Sequence, residues 1–279
     1  MKIAISADST CDLSPDLIQK HNIKLMPLII TLDDKEHQDG VNIDTNKLYE
    51  YIESTGNLAK TAARSAYEYK EHFLKLLENC DHVIHFSLSF KISATGSNAK
   101  NAAEELGDDK VTVIDTKSLS TGSGLLVLAG AEKAEEGKDI NTIKEELVAM
   151  AEKIQASFLV DTLKYLHKGG RCSSLAFLGA NLLKIKPRIS LVDGEMKMTK
   201  KYMGNIDSSL LKYVKDMLIE CPPVLDRVFI TSSSEMPISE TIVNMLKQYG
   251  FKEVLTSRAG CTVCTHCGKN TLGILYVKA

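Results

Sequence analysis

Tryptophan is absent, proline occurs only six times, and neither sign of charge dominates: 34 Lys and Arg face 36 Asp and Glu, a formal net charge of -2 with a pI near 6.4. The charges are evenly spread, with no basic arm and no acidic tail. Such a chain carries no electrostatic footprint for nucleic acid or for an anionic membrane surface. No apolar run approaches the ~20 residues of a membrane span, and the first one, Ile3 to Ala7, is too short for a secretory signal. Low-complexity segments and internal repeats are missing as well. The seven cysteines are odd in number and irregular in spacing. Without a secretory signal they read as reduced thiols, and the expected compartment is the cytoplasm.

Several enzyme signatures are also lacking. His-Glu-x-x-His and the P-loop pattern do not occur, and Gly-x-Ser-x-Gly fails because Thr121 stands at its first glycine. Gly122-Ser-Gly124-Leu-Leu-Val127 half-matches a dinucleotide fingerprint. Val127 replaces the third glycine and no acidic residue follows at the required distance, so that reading is rejected.

What the sequence does have is alternation. At 279 residues it is long for one core and comfortable for two domains. Strands at Ile3 to Ala7, His82 to Phe86 and Val111 to Asp115 are separated by helices opened by Ser14-Pro15, Asp44 and the capping box Ser65-Ala-Tyr-Glu68. Ile23 to Leu32 reads as a strand interrupted by Pro27, followed by a polar hairpin turn to Gly40, and Gly56 to Arg64 reads as loop. After about residue 156 the pattern changes. Helices are expected at Leu163 to Lys168, Leu175 to Leu183, Ile206 to Glu220 and Thr241 to Tyr249. A hairpin turns at Asp193-Gly194, and strands at Val228 to Thr231, Val254 to Thr256 and Leu272 to Val277 follow. The expectation is an α/β fold of two α/β domains, 1–155 with a mainly parallel sheet and 156–279 with a mixed sheet.

Hydroxyl groups gather where ligands bind in such folds. In Phe86-Ser-Leu-Ser-Phe-Lys-Ile-Ser-Ala-Thr-Gly-Ser97 a strand gives way to a hydroxyl-rich turn and a helix start. There the free backbone N–H groups carry the positive end of the helix dipole and suit an anion. Ser93, Thr95 and Ser97 add side-chain donors; the alternative reading is plain N-capping by one serine. Asp8-Ser-Thr10, Thr61 to Ser65 and Thr116 to Ser123 are similar. Four such loops at the carboxyl ends of parallel strands would converge on a polar, uncharged pocket. Two further strings carry chemistry. Gly260-Cys-Thr-Val-Cys-Thr-His-Cys-Gly268 places Cys261, Cys264 and Cys267 at iron–sulfur or zinc spacing with His266 alongside; the alternative is a tight loop with buried thiols. Lys164-Tyr-Leu-His-Lys-Gly-Gly-Arg171 reads as a helix end whose cations complement its dipole, except for Arg171, which lies beyond it.

Asp8-Ser-Thr-Cys-Asp-Leu13, Lys60-Thr61, Ser87 to Ser97, Tyr165 to Arg171, Leu183-Lys-Ile-Lys-Pro187, Asp193-Gly194 and Gly260 to Gly268 occur in the order and spacing of the DegV family, which the whole chain resembles. The resemblance implies two α/β domains with a fatty acid between them. It also implies a carrier without catalysis or cofactor of its own, which presents the acyl carboxylate to an ATP-dependent fatty acid kinase subunit for acyl phosphate formation. By the same resemblance Thr61 and Ser93 bind the carboxylate, with His266 at the head group and Arg171 on the face a kinase must reach. The sequence departs from the family pattern at Ala62-Ala63-Arg64-Ser65, at Ala94 in place of glycine, and at Lys269-Asn270. Arg64 is expected to bring a charge near the head group. Two other classes stay open from the residues themselves: a metal or iron–sulfur protein using Cys261, Cys264 and Cys267, and a small-molecule enzyme using the hydroxyl-rich loops.

Overall fold

The computed structural model describes residues 1–171 and 185–279. The expected helix Leu175 to Leu183 and Cys172 lie outside the described residues. In the first half, strands β1 (Ile3–Asp8), β2 (Lys24–Met26), β6 (His82–Ser87) and β7 (Val111–Asp115) form an all-parallel sheet in the order β2-β1-β6-β7. Helices α3 (Ala66–Leu77) and α4 (Thr95–Leu106) cover one face, and the Ser65 capping box is formed as read from the sequence. In the second half, β8 (Ile154–Leu159), β9 (Ile185–Val192), β10 (Glu195–Met203), β11 (Pro223–Ser232), β12 (Glu253–Arg258) and β13 (Leu272–Lys278) form a mixed sheet ordered β10-β9-β8-β13-β11-β12. Among the described residues of this sheet only β11 and β12 pair in parallel. Helices α8 (Ile206–Glu220) and α9 (Ile238–Tyr249) pack on its outer face.

Between the sheets lies α5 (Thr121–Glu135), which buries residues on every side, as an apolar-all-round helix must. Its glycines let both sheets close on it. A Cβ at Gly122 would stand 3.2 Å from Ala156 and Leu275 of the mixed sheet. One at Gly124 would stand 2.8 Å from the Cys11 carbonyl and Leu13, and one at Gly130 would overlap the Phe86 ring. The half-matched dinucleotide fingerprint is therefore a packing surface. Helix α6 (Ile140–Ala151) adds Ile143 and Leu147 to this core.

Three sequence expectations are corrected. The strand foreseen over Ile23 to Leu32 is two strands in different sheets. Pro27 lacks an N–H and cannot continue a ladder; β2 ends before it and β3 (Ile29–Leu32) begins a separate antiparallel sheet, flanked by β4 (Lys35–Gln38) and β5 (Lys60–Ala62) in the order β4-β3-β5. Strand β4 (Lys35–Gln38) completes the hairpin, with Asp33 and Asp34 both at positive φ (43° and 61°). The loop foreseen over Gly56 to Arg64 contains β5 (Lys60–Ala62), whose Thr61 pairs with Ile30. The loop foreseen over Gly260 to Gly268 is helix α10 (Cys261–Cys267). Helix α10 packs on α2 (Thr45–Thr55) and on α7 (Lys164–Gly169). Among the described residues no helix is long and apolar enough to cross a membrane.

Candidate functional site

A cavity of about 220 Å³ opens where β5, the β6–α4 turn, the end of α7 and α10 meet. Thr10, Thr61, Ser93, Thr262, His266 and Arg171 supply its polar groups. Leu28, Leu88, Ile92, Leu119, Met196 and Val263 supply its apolar wall. A second void of about 20 Å³ lies behind Leu119, Val263 and Cys267, which border both.

Each polar group is held by local structure. Thr61 sits at the centre of β5, and its Oγ1 lies 2.9 Å from His266 Nε2 on α10. Ser93 precedes α4; its Oγ accepts the Thr95 N–H at 3.2 Å and lies 2.6 Å from Thr95 Oγ1. Gly96 follows, where a Cβ would overlap the Phe90 ring, so the turn closes tightly under Ser93. The Asn98 amide donates to the Arg64 carbonyl at 2.6 Å, tying the segment after Thr61 to α4. Arg171 is exposed at the cavity, with Nη1 donating to the Gly169 carbonyl at 2.6 Å.

The structure thus brings Thr61, Ser93, His266 and Arg171 to one cavity. It does not bring Arg64 there. That guanidinium donates to the Pro27 carbonyl and to Glu68, both at 2.7 Å, and leaves the cavity without its charge. The foreseen convergence of four hydroxyl-rich loops is likewise reduced. Hydroxyls of the Thr116 to Ser123 loop are used internally: Thr116 meets Ser123 at 2.8 Å, Ser120 donates to Asp12 at 2.5 Å and Thr121 meets Thr231 at 2.6 Å. Only Leu119 of that loop reaches the cavity. Thr10 was visible in the sequence only as one hydroxyl among several. Its Oγ1 is buried without a hydrogen-bond partner among the described residues.

Burial, followed by the positive charge of Arg171, lowers the His266 pKa to about 4. The ring is neutral at pH 7, with one donor and one acceptor nitrogen. Its Nδ1 has no partner among the described residues. A hydroxyl–imidazole pair becomes a nucleophile when a carboxylate orients the far nitrogen; among the described residues none does so. A second such grouping, Ser6 Oγ 2.9 Å from His85 Nδ1 with Asp8 3.3 Å from His85 Nε2, is sealed in the core beneath Tyr69 and Phe73.

The cysteine string does not assemble a centre. Cys261, Cys264 and Cys267 are buried along α10, and Cys264 Sγ donates to the carbonyls of Ser233 and Ala259. Burial pushes all three thiols up, Cys264 to about 12, which disfavours the thiolate that binds metal. Among the described residues no group of three or more His, Cys, Asp or Glu side chains is placed to hold a metal ion.

The sequence profile described as "Uncharacterised protein, DegV family" matches residues 2–279. The chain belongs to the DegV family. A DegV domain-containing protein of Caldanaerobacter subterraneus subsp. tengcongensis is 30% identical over 277 residues, covering 99% of this chain and 98% of that protein. Among solved structures, a DegV family protein from Thermus thermophilus described for its fatty acid binding superposes with a TM-score of 0.89 at 27% identity, over 100% of both chains. DegV of Bacillus subtilis, described as a fatty acid binding protein, also gives 0.89 at 25% identity over 100% of both. DegV relatives of this fold therefore bind fatty acids.

Proposed function

We propose that this protein binds a long-chain fatty acid, with Thr61 and Ser93 donating to its carboxylate and the tail running along the apolar wall. The observation that carries the reading is the meeting of these two hydroxyls, from different sheets and loops, at one cavity lined by Leu28, Leu88, Ile92 and Met196. Thr61 has one proton to give. When it donates to a carboxylate, its oxygen accepts from His266 Nε2–H, so His266 acts through Thr61 and needs no charge. Each buried CH₂ contributes about 0.8 kcal/mol, and each hydrogen bond to the charged head about 1.5–3 kcal/mol. The tail sets affinity and the hydroxyls set orientation.

A cavity of about 220 Å³ is smaller than the ~300–1,000 Å³ usual for ligand sites. The void behind it adds only about 20 Å³, so a long tail is accommodated only when Leu119, Val263 and Cys267, which border both, move apart. The head-group end, beside exposed Arg171, faces outward. A partner kinase reaches the carboxylate there, and Arg171 meets the negative charge that grows as an acyl phosphate forms. The protein itself acts as the carrier.

The test is direct. Protein expressed in bacteria, denatured and extracted with organic solvent, is expected to release about one fatty acid per chain by mass spectrometry. Extracts free of lipid, together with no binding of added palmitate, would overturn the reading. Acyl phosphate formation on incubation with ATP and a fatty acid kinase tests the partner separately.

A further inference from the structure

Two glycines stand together at the end of α7, and they are there for different reasons. Gly170 has φ +66° and open space where a Cβ would go, so its need is conformational. Gly169 has no positive φ. Its backbone suits any L-residue, and at a helix end alanine would ordinarily be the better choice. What stands in the way is His266: a Cβ on Gly169 would overlap imidazole Nδ1, and would lie 3.1 Å from Cε1 and 3.5 Å from Cγ. The reverse contact is made by the same two helices. Gly268, at the end of α10, is pressed against the Tyr165 ring of α7, which a Cβ there would overlap. Each helix thus sets a ring on a glycine of the other. The Gly169 carbonyl at the same point accepts Arg171 Nη1 at 2.6 Å.

We propose that Gly169 is a positioning residue, the seat that holds the His266 imidazole against Thr61 and the Arg171 guanidinium beside it. The seat is independent of what fills the cavity. Its bearing on head-group binding rests on the fatty acid reading above.

The test is a cycle of four proteins: wild type, Gly169→Ala, His266→Ala, and the double variant. In the wild-type background Gly169→Ala lowers the melting temperature by several degrees. In the His266→Ala background the same change leaves it unaltered or raises it by ~1–3 °C, because the methyl group enters vacated space and favours the helix. If Gly169→Ala does not fold while the double variant does, the seat is confirmed in its strongest form. Equal losses in both backgrounds, or failure of the double variant to fold, would overturn it. A purely structural contact would not move the ring's chemistry, so His266 is also followed by NMR. The wild-type imidazole, lowered to about 4, is neutral at pH 7, and in Gly169→Ala its titration moves up toward the ordinary value of 6.5 as the ring leaves its buried place beside Arg171. An unchanged titration in the folded variant would refute the positioning role. If palmitate binds to none of the four proteins, the fatty acid reading fails while the cycle still decides the seat.

Discussion

Replacing the two hydroxyls is the sharpest probe of the cavity. In Thr61→Ala the Oγ1 that lies 2.9 Å from His266 Nε2 is lost, and in Ser93→Ala the acceptor of the Thr95 N–H is lost. Both side chains are only partly buried, so each change costs folding about 1 kcal/mol, the net value of one neutral hydrogen bond. The effect on a bound carboxylate is larger. A hydrogen bond to a charged group is worth about 1.5–3 kcal/mol, which is roughly 10- to 150-fold in Kd at about 1.4 kcal/mol per tenfold. The two residues address one head group, so their effects need not add; a joint loss of about 100-fold is the working figure. Removing two methylenes from the tail costs about 1.6 kcal/mol, near 15-fold, and acts on wild type and variant alike. The assay is titration calorimetry with palmitate, myristate and methyl palmitate. Palmitate is expected to bind the double variant about as weakly as methyl palmitate binds wild type, while the ratio of palmitate to myristate stays constant. Equal palmitate affinity in wild type and Thr61→Ala/Ser93→Ala would refute the placement of the carboxylate, as would an ester that binds wild type as well as the acid.

Three further outcomes follow from the packing. Burial raises Asp12 to about 8 against the opposing bonds from Ser120 and Gly260, so the native state holds a proton that the unfolded chain releases near its ordinary carboxylate value. The stability this contributes is full at low pH and is lost as pH rises through about 8. Asp12→Asn, which mimics the protonated acid, should match wild type near pH 4 and exceed it at pH 9 in thermal melts; parallel curves would count against it. At Gly130 a methyl group would meet the Phe86 ring in the core, so Gly130→Ala is expected to lose about 1–3 kcal/mol in urea denaturation despite its gain in helix propensity. Cys261, Cys264 and Cys267 should resist iodoacetamide at pH 8 in the folded protein and react after denaturation, and native labelling at the rate of a free thiol would contradict their burial.

What was legible in the sequence was what local chemistry decides. The caps at Ser14, Asp44 and Ser65 and the Asp193-Gly194 turn depend on neighbours within a few residues, and these elements begin where the sequence places them. What was missed depends on distant partners. Strand β8, buried along its whole length between β9 and β13, shows no alternation to mark it. Strand β5 is three residues long and exists because β3 lies beside it. Thr61 and Ser93 could be singled out by motif, but nothing near Thr10, Leu119 or Met196 in sequence announces that they share a cavity. Pro27 marks an interruption in the sequence; that the chain changes sheets there follows from tertiary pairing alone.

Helix α10 shows why the site depends on long-range contacts more than on local signals. Seven residues are too few for a helix to stand alone in water, and Gly260 provides no side-chain cap. The cap comes from elsewhere. Asp39 accepts the N–H groups of Cys261 and Thr262 at 2.8 and 3.1 Å together with the Thr262 hydroxyl at 2.6 Å, while Asp12 accepts the Gly260 N–H at 2.9 Å. Both aspartates belong to the first half of the chain; Asp39 caps the free N–H groups of the helix start, and Asp12 accepts from the residue before it through a carbonyl-type oxygen that needs no charge. Cys261 and Cys264 then pack beside Ile30, Leu48 and Tyr49 as small apolar groups, and Gly268 closes the helix against Tyr165. A string that resembles a metal motif is thus a helix assembled by its neighbours, and the residue it delivers to the cavity is His266.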